Sequence, residues 1–156
     1  MGKRRKAREC ALQVLFQLEF TSDQPEEILK DYWRHQSMPS EVKEYGEWLV
    51  KGICEHKQDV DRTIQQASKN WRLERMATVD RNILRIAVFE MLFEKALAVP
   101  IIIDEAIEIA KKFSGQESAL FVNGILDGVN KNLKKVKSGE KQNNSGKLKD
   151  DEVRHG

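Results

Sequence analysis

The sequence predicts an all-α fold of about seven helices. Apolar residues recur at three- and four-residue steps along most of the chain, and the one stretch with period-two character, residues 99–103, holds Pro100 between two helical patterns. With 156 residues, 40% apolar and 33% charged, the chain suffices for one globular domain with a single core that needs no covalent staples.

Each element follows from its own residues. Over residues 4–20, Ala7, Ala11, Val14, Leu15 and Leu18 fall on one stripe of a first helix, with basic residues before and beside it. Ser22 and Asp23 are placed to cap a short second helix, with Pro25 in its first turn and Ile28, Leu29, Tyr32 and Trp33 on its apolar side. After a break at Met38-Pro39, Ser40 is expected to cap a long third helix that turns Val42, Tyr45, Leu49 and Ile53 inward. Val60, Ile64 and Ala67 carry a fourth, ending near Asn70-Trp71. Thr78 is the natural cap of the fifth, with Asp80 against the positive end of its dipole. The apolar rows of that helix, Val79, Ile83, Ile86 and Ala87 beside Leu84, Val88, Met91 and Leu92, are too broad for a surface helix and predict a buried one.

Val99-Pro100 reads as a turn, after which Ala106, Ile107, Ala110 and Phe113 line a sixth helix that stops at Ser114-Gly115. A seventh begins near Glu117 or Ser118, with Leu120, Phe121, Gly124, Ile125 and Val129 inward or partly inward, Gly124 permitting close helix packing. From about Ser138, Ser, Gly, Asn, Lys and Asp replace the apolar residues, leaving too little surface to bury against the entropy of ordering. Residues 1–136 are therefore expected to form the folded domain and residues 137–156 a disordered lysine-rich tail.

Several function classes are excluded. The longest apolar run, residues 96–103, is far short of the roughly 20 residues that span a bilayer, so no membrane segment is expected. After the basic start come Gln13, Gln17 and Glu19 rather than the apolar stretch of a secretory signal, which points to a cytoplasmic protein. Cys10 and Cys54 have no C-x-x-C spacing, and His35, His56 and His155 are scattered; neither a disulfide framework, a metal site nor a cofactor is expected. Phosphate loops, dinucleotide turns, nucleophile elbows and H-E-x-x-H pairs are missing. Asp104, Glu105 and Glu108 stand at helical spacing, but as exposed acids near a helix N-terminus they stabilise its dipole, and the chain is read as a non-enzyme.

The net charge of +2 says little, but its distribution is informative. Lys3, Arg4, Arg5, Lys6 and Arg8 place five cations in six positions without an acid, and residues 131–149 are again lysine-rich. Such a start repels itself unless a polyanion neutralises it; phosphates would do so with salt-sensitive, sequence-independent affinity. Selectivity for single-stranded RNA would come from rings that stack bases and amides that read their edges, for which Phe16, Phe121 and Asn123 are candidates. The plainer alternatives are a solvated charged face and aromatic core positions.

Lys6-Ala7-Arg8-Glu9-Cys10-Ala11-Leu12-Gln13-Val14-Leu15-Phe16 resembles the arginine-rich first helix of the NusB family. Asn70-Trp71 with Arg75, followed by Val79-Asp80-Arg81-Asn82-Ile83-Leu84-Arg85-Ile86-Ala87-Val88-Phe89-Glu90, is similar to that family's central signature. Val99-Pro100, Asp104-Glu105-Ala106-Ile107-Glu108-Ile109-Ala110-Lys111-Lys112-Phe113 and Phe121-Val122-Asn123-Gly124-Ile125-Leu126-Asp127 complete the pattern in order.

The resemblance implies a two-part helical fold that binds single-stranded RNA, the boxA element of nascent ribosomal RNA transcripts. It does so together with NusE, a ribosomal small-subunit protein that doubles as a transcription factor, within an RNA polymerase antitermination complex. On matching positions it implies Arg4, Arg5, Lys6 and Arg8 on phosphates, with Lys3 in the same basic start. Phe16 and Phe121 would lie near bases, with Asn123 and Glu117 close by, while Asp80, Arg81 and Glu90 fall on the NusE side. Asp80 and Glu90 could equally hold Arg81 or Arg85 in surface ion pairs, each worth about 0–1 kcal/mol. An exposed apolar face could serve a homodimer or a partner. The chain departs from the family pattern at Asp104, where many relatives carry an amide, at Phe16, where tyrosine is frequent, and in the lysine-rich extension after Val136. Two other readings are a protein-only helical scaffold and the NusB-like domain of an RNA cytosine methyltransferase, which would need a cofactor domain beyond this chain.

Overall fold

The computed structural model describes the backbone of residues 2–155 and the side chains of residues 2–138. Seven helices make up the described residues, with no strand among them: α1 (Gly2–Leu18), α2 (Pro25–His35), α3 (Ser40–Glu55), α4 (Lys57–Ala67), α5 (Thr78–Phe93), α6 (Val99–Phe113) and α7 (Gln116–His155). A single 3-10 turn, Leu73–Arg75, sits between α4 and α5. The expectation of a disordered tail at 137–156 falls almost wholly on residues whose side chains lie outside the described ones.

The centre of the fold is α5, which packs against α1, α3, α4, α6 and α7. Its breadth of apolar residues is the reason: every residue from Asn82 to Glu90 is buried, so all faces of the helix are covered. On one side α1, α2 and α3 pack mutually; on the other α4 and α6 both pack on α7. This is the two-part arrangement expected, with α5 shared by both parts. The first side is built from Ala7, Cys10, Ala11 and Val14 of α1 against Leu49, Val50 and Ile53 of α3, and the second from Ile102, Ala106 and Ile109 of α6 against Val122, Leu126 and Val129 of α7. Spacings of three and four residues put each of these sets on one stripe.

Local chemistry explains the helix ends, and it corrects several expectations. None of α2, α3, α5 or α6 carries a side-chain cap. Gln24, Pro39 and Ala77 occupy the capping positions, while Ser40 and Thr78 are already the first helical residues of α3 and α5. Val99-Pro100 is not a turn but the start of α6, where the missing proline N–H would have no partner in any case. The stop at Ser114-Gly115 is as expected: Gly115 takes φ +115°, a region open to glycine, and the Ser114 and Gly115 amides both donate to the Ala110 carbonyl at 2.8 and 2.9 Å. On α7, Leu120 is 73% exposed rather than inward, and Gly124 faces open space rather than a neighbouring helix. Gly128 makes the close approach instead, 3.4 Å from Ala67 Cβ at the position a β-carbon would take.

Candidate nucleic-acid interface

The first two turns of α1 lie against acids of α3, α5 and α6, and their periodicity decides what each cation meets. Arg4 and Arg8, one turn apart, face Glu94 and Glu90, one turn apart at the end of α5: Arg4 Nη1 is 3.4 Å from Glu94, and Arg8 Nε is 2.9 and 3.0 Å from the two oxygens of Glu90. Arg5, on the adjoining face, donates from Nε to Glu105 of α6 at 2.6 Å. One turn later Glu9 accepts from Lys112 of α6 at 3.0 Å. Lys3 meets Glu41 of α3 at 2.7 Å, and Lys6 reaches Glu9 at 3.9 Å.

Burial separates these cations into two kinds. The side chains of Lys3, Arg4, Arg5 and Lys6 remain between 42% and 63% exposed, whereas that of Arg8 is 3% exposed against a Glu90 at 1%. Arg8 is therefore a structural cation: with its charge spent on Glu90 and its surface covered, it presents nothing to a phosphate, which corrects its expected place among the RNA contacts. Burial alone would lower the Arg8 pKa, but the hydrogen bond and charge of Glu90 outweigh it and hold the guanidinium above its ordinary value. The Arg5 pKa is likewise raised, chiefly by its hydrogen bond to Glu105.

The acids are corrected in the same way. Glu90 is buried beneath α1, where it also accepts from the Tyr45 hydroxyl, and does not stand on a partner surface or pair with Arg81 or Arg85. Arg81 instead donates to Glu19 at 2.6 Å and to the carbonyls of Leu73 and Met76, and Arg85 donates to Asp61 at 2.8 Å. Glu105 is 2% exposed rather than a solvated first-turn acid.

A second feature lies where the α4–α5 loop meets the start of α7. Trp71, Arg75, Met76, Ala77, Asp80, Glu117, Ser118 and Phe121 line a groove of about 340 Å³. Trp71 is 55% exposed and stands edge-on to Phe121, with ring centroids 6.5 Å apart. Asp80, in the first turn of α5, has a buried oxygen, Oδ1, without a hydrogen-bond partner. The structure thus brings Glu117 and Phe121 together with Trp71 and Arg75, whereas Asn123 is exposed on α7 and does not line the groove.

Phe16 is elsewhere. It pairs with Phe20 at 5.0 Å near the C-terminal end of α1, about 18 Å along the helix from Arg4. Phe113, expected to line α6 inward, is 37% exposed and lies 5.6 Å from the Lys112 amine. Among the described residues no group of three or more His, Cys, Asp or Glu side chains is set to hold a metal, and no helix is long and apolar enough to cross a membrane.

Comparison with known proteins places the chain in a family. The sequence model of the NusB family matches residues 5–131. The chain is 42% identical over 141 residues to the transcription antitermination protein NusB of Anaeromyxobacter dehalogenans, covering 90% of this chain and 99% of that protein. Its fold is similar to that of T. maritima NusB, with TM-score 0.76, 40% identity and coverage of 82% and 90% of the two chains. A chain in the crystal structure of antitermination factors NusB and NusE in complex with dsRNA matches with TM-score 0.77 at 26% identity, covering 84% of this chain and 98% of that one.

Proposed function

The chain belongs to the NusB family, and from that premise we propose that it is a transcription antitermination factor, a non-enzymatic adapter that grips single-stranded RNA of the boxA type together with a NusE-like ribosomal protein. It would act in the bacterial cytoplasm, within the antitermination complex of RNA polymerase. The observation that carries the proposal is the division of labour on α1: buried carboxylates hold one side of the basic helix, while Lys3, Arg4, Arg5 and Lys6 keep donors facing solvent. Fixed cations lose little freedom on meeting phosphates, and each phosphate they neutralise releases counterions. The Trp71–Phe121 groove offers rings for an unstacked base, with Glu117 to receive its polar edge. Of the residues assigned to the protein partner, Asp80 lines this same groove.

The test is titration of boxA-type RNA at two salt concentrations, with and without the ribosomal partner, using the chain and its Lys3→Ala, Lys6→Ala double variant. Glu41 is exposed and the buried Glu9 keeps Lys112, so the loss of both lysines leaves no buried acid unpaired. The double variant is expected to bind about tenfold more weakly at low salt, with the salt slope reduced by roughly one to two. Equal affinity of the two proteins would end the proposal and favour a protein-only scaffold.

A further inference from the structure

Tyr45 of α3 lies between the exposed and the buried arginine of α1. The Arg4 guanidinium is 4.5 Å from the centre of its ring, and that of Arg8 is 5.9 Å from the same centre. The hydroxyl of Tyr45 donates to Glu90 Oε2, on the carboxylate that also receives Arg8. Trp48, one turn further along α3, stacks against Tyr45 with centroids 5.4 Å apart and planes at 30°. The ring is thus fixed at its hydroxyl by a buried carboxylate and along its side by an indole. Arg4, by contrast, has little else to hold it: its ion pair with Glu94 is 3.4 Å long, through Nη1 alone.

We infer that Tyr45 is a positioning residue for RNA binding, its ring holding the Arg4 guanidinium flat against α3 so that the outer N–H groups of the fork are presented to a phosphate. This rests on the RNA-binding reading of the basic helix and adds to it an uncharged residue that touches no RNA. An arginine on a flexible stem loses rotamer freedom when it takes a phosphate; one already lying on an aromatic face has lost part of that freedom in the free protein. Glu90 then has two tasks at once, closing the core around Arg8 and aiming the tyrosine beneath Arg4. The neutrality of Tyr45 matters for the test, because changing it leaves the long-range field of the cations unaltered.

The experiment is a double-mutant cycle on full-length protein, read as affinity for a boxA-type single-stranded RNA oligonucleotide at fixed low salt. Tyr45→Leu is expected to weaken binding about two- to fivefold, the loss of one exposed cation–ring contact. Tyr45→Phe, which keeps the ring, should stay within about twofold of the unaltered protein. In an Arg4→Ala background, Tyr45→Leu should change affinity by less than about 1.5-fold, because the residue through which it acts is gone. Losses that multiply in the double variant would overturn the inference, as would unaltered binding by a folded Tyr45→Leu protein. Should Tyr45→Leu not fold, Tyr45→Phe decides: a loss as large as that of Arg4→Ala would show that the hydroxyl and not the ring is what matters. If Arg4→Ala itself binds normally while Lys3→Ala, Lys6→Ala binds weakly, the inference fails and the RNA-binding reading stands; if none of them weakens binding, both fall.

Discussion

Arg8 of α1 and Glu90 of α5 form a buried ion pair between residues 82 apart in sequence, with Arg8 Nε 2.9 and 3.0 Å from the two carboxylate oxygens. Most of the basic start projects into solvent, yet this arginine points into the core. Removing both charges from water is costly, and the pair persists because each member is satisfied: Glu90 also takes the Tyr45 hydroxyl, and a second carboxylate, Glu105, lies 3.9 Å from Arg8 Nη1. The pair links α1 to the central helix at the point where the exposed cations begin.

Arg8→Ala is therefore expected to destabilise the protein by about 3–5 kcal/mol, since it leaves a buried carboxylate without its partner. Replacing both members with apolar residues of similar size, Arg8→Met with Glu90→Leu, should recover most of that loss. Urea unfolding of the two variants checks this. A single variant as stable as the unaltered protein would mean that water reaches Glu90, contrary to its burial.

How much of this was legible in the sequence follows from what periodicity reports. It reports which face of a helix is covered, so the seven helices, the buried α5 and the stop at Gly115 all follow from apolar spacing and one glycine. Caps were misplaced by one or two residues at Ser22-Asp23, Ser40 and Thr78, because a cap depends on the dihedral angles of a single residue. Arg8 and Glu90 were misassigned for a different reason: hydropathy places charged residues outside, and only a tertiary pairing reverses that. A signal did exist in the one-turn spacings of Arg4 with Arg8 and of Glu90 with Glu94, which complement each other in antiparallel register. Trp71 was read only as marking the end of a helix and as part of a family motif, since a residue in a loop carries no period to say which way it faces.

Gly52 on α3 is a position where only glycine fits. A β-carbon there would overlap Cζ of Phe89, a ring that is itself held between Trp48 and Phe93 with centroids 4.8 Å away in each case. Gly52→Ala is expected to cost about 1–3 kcal/mol through overpacking, despite the better helix propensity of alanine. Adding Phe89→Leu should cost less in the Gly52→Ala background than in the unaltered protein, because the smaller side chain relieves the clash. Additive losses in thermal unfolding would show that α3 and α5 simply move apart.

Alkaline pH should destabilise the fold through Tyr45. Burial, followed by the charge and hydrogen bond of Glu90, pushes its pKa well above the ordinary value of about 10. Below that value the tyrosine is protonated in both folded and unfolded chains, and its contribution is fully present. As pH rises beyond it, the unfolded chain gives up the proton while the folded one retains it, so stability declines until the folded pKa is reached. The urea midpoint is expected to fall between about pH 9.5 and 11, and to fall less steeply in Tyr45→Phe. Lysine titration is common to both proteins, so parallel curves would show that Tyr45 ionises as readily inside as outside.

Aromatic and cationic contacts with RNA should separate in their response to salt. Phe121→Ala removes a ring from the groove without changing charge, so it should weaken RNA binding about five- to 150-fold, the equivalent of roughly 1–3 kcal/mol for one stacked base, with the slope of log affinity against log salt unchanged. Trp71→Ala, which removes the more exposed ring, should behave in the same way. Lys3→Ala with Lys6→Ala should do the opposite, flattening the slope so that its deficit shrinks as salt rises. The contrast is diagnostic because counterion release counts phosphates neutralised and ignores stacking. A Phe121→Ala protein whose slope changes, or whose affinity does not, would place the base outside the groove and leave the ring as packing for Trp71.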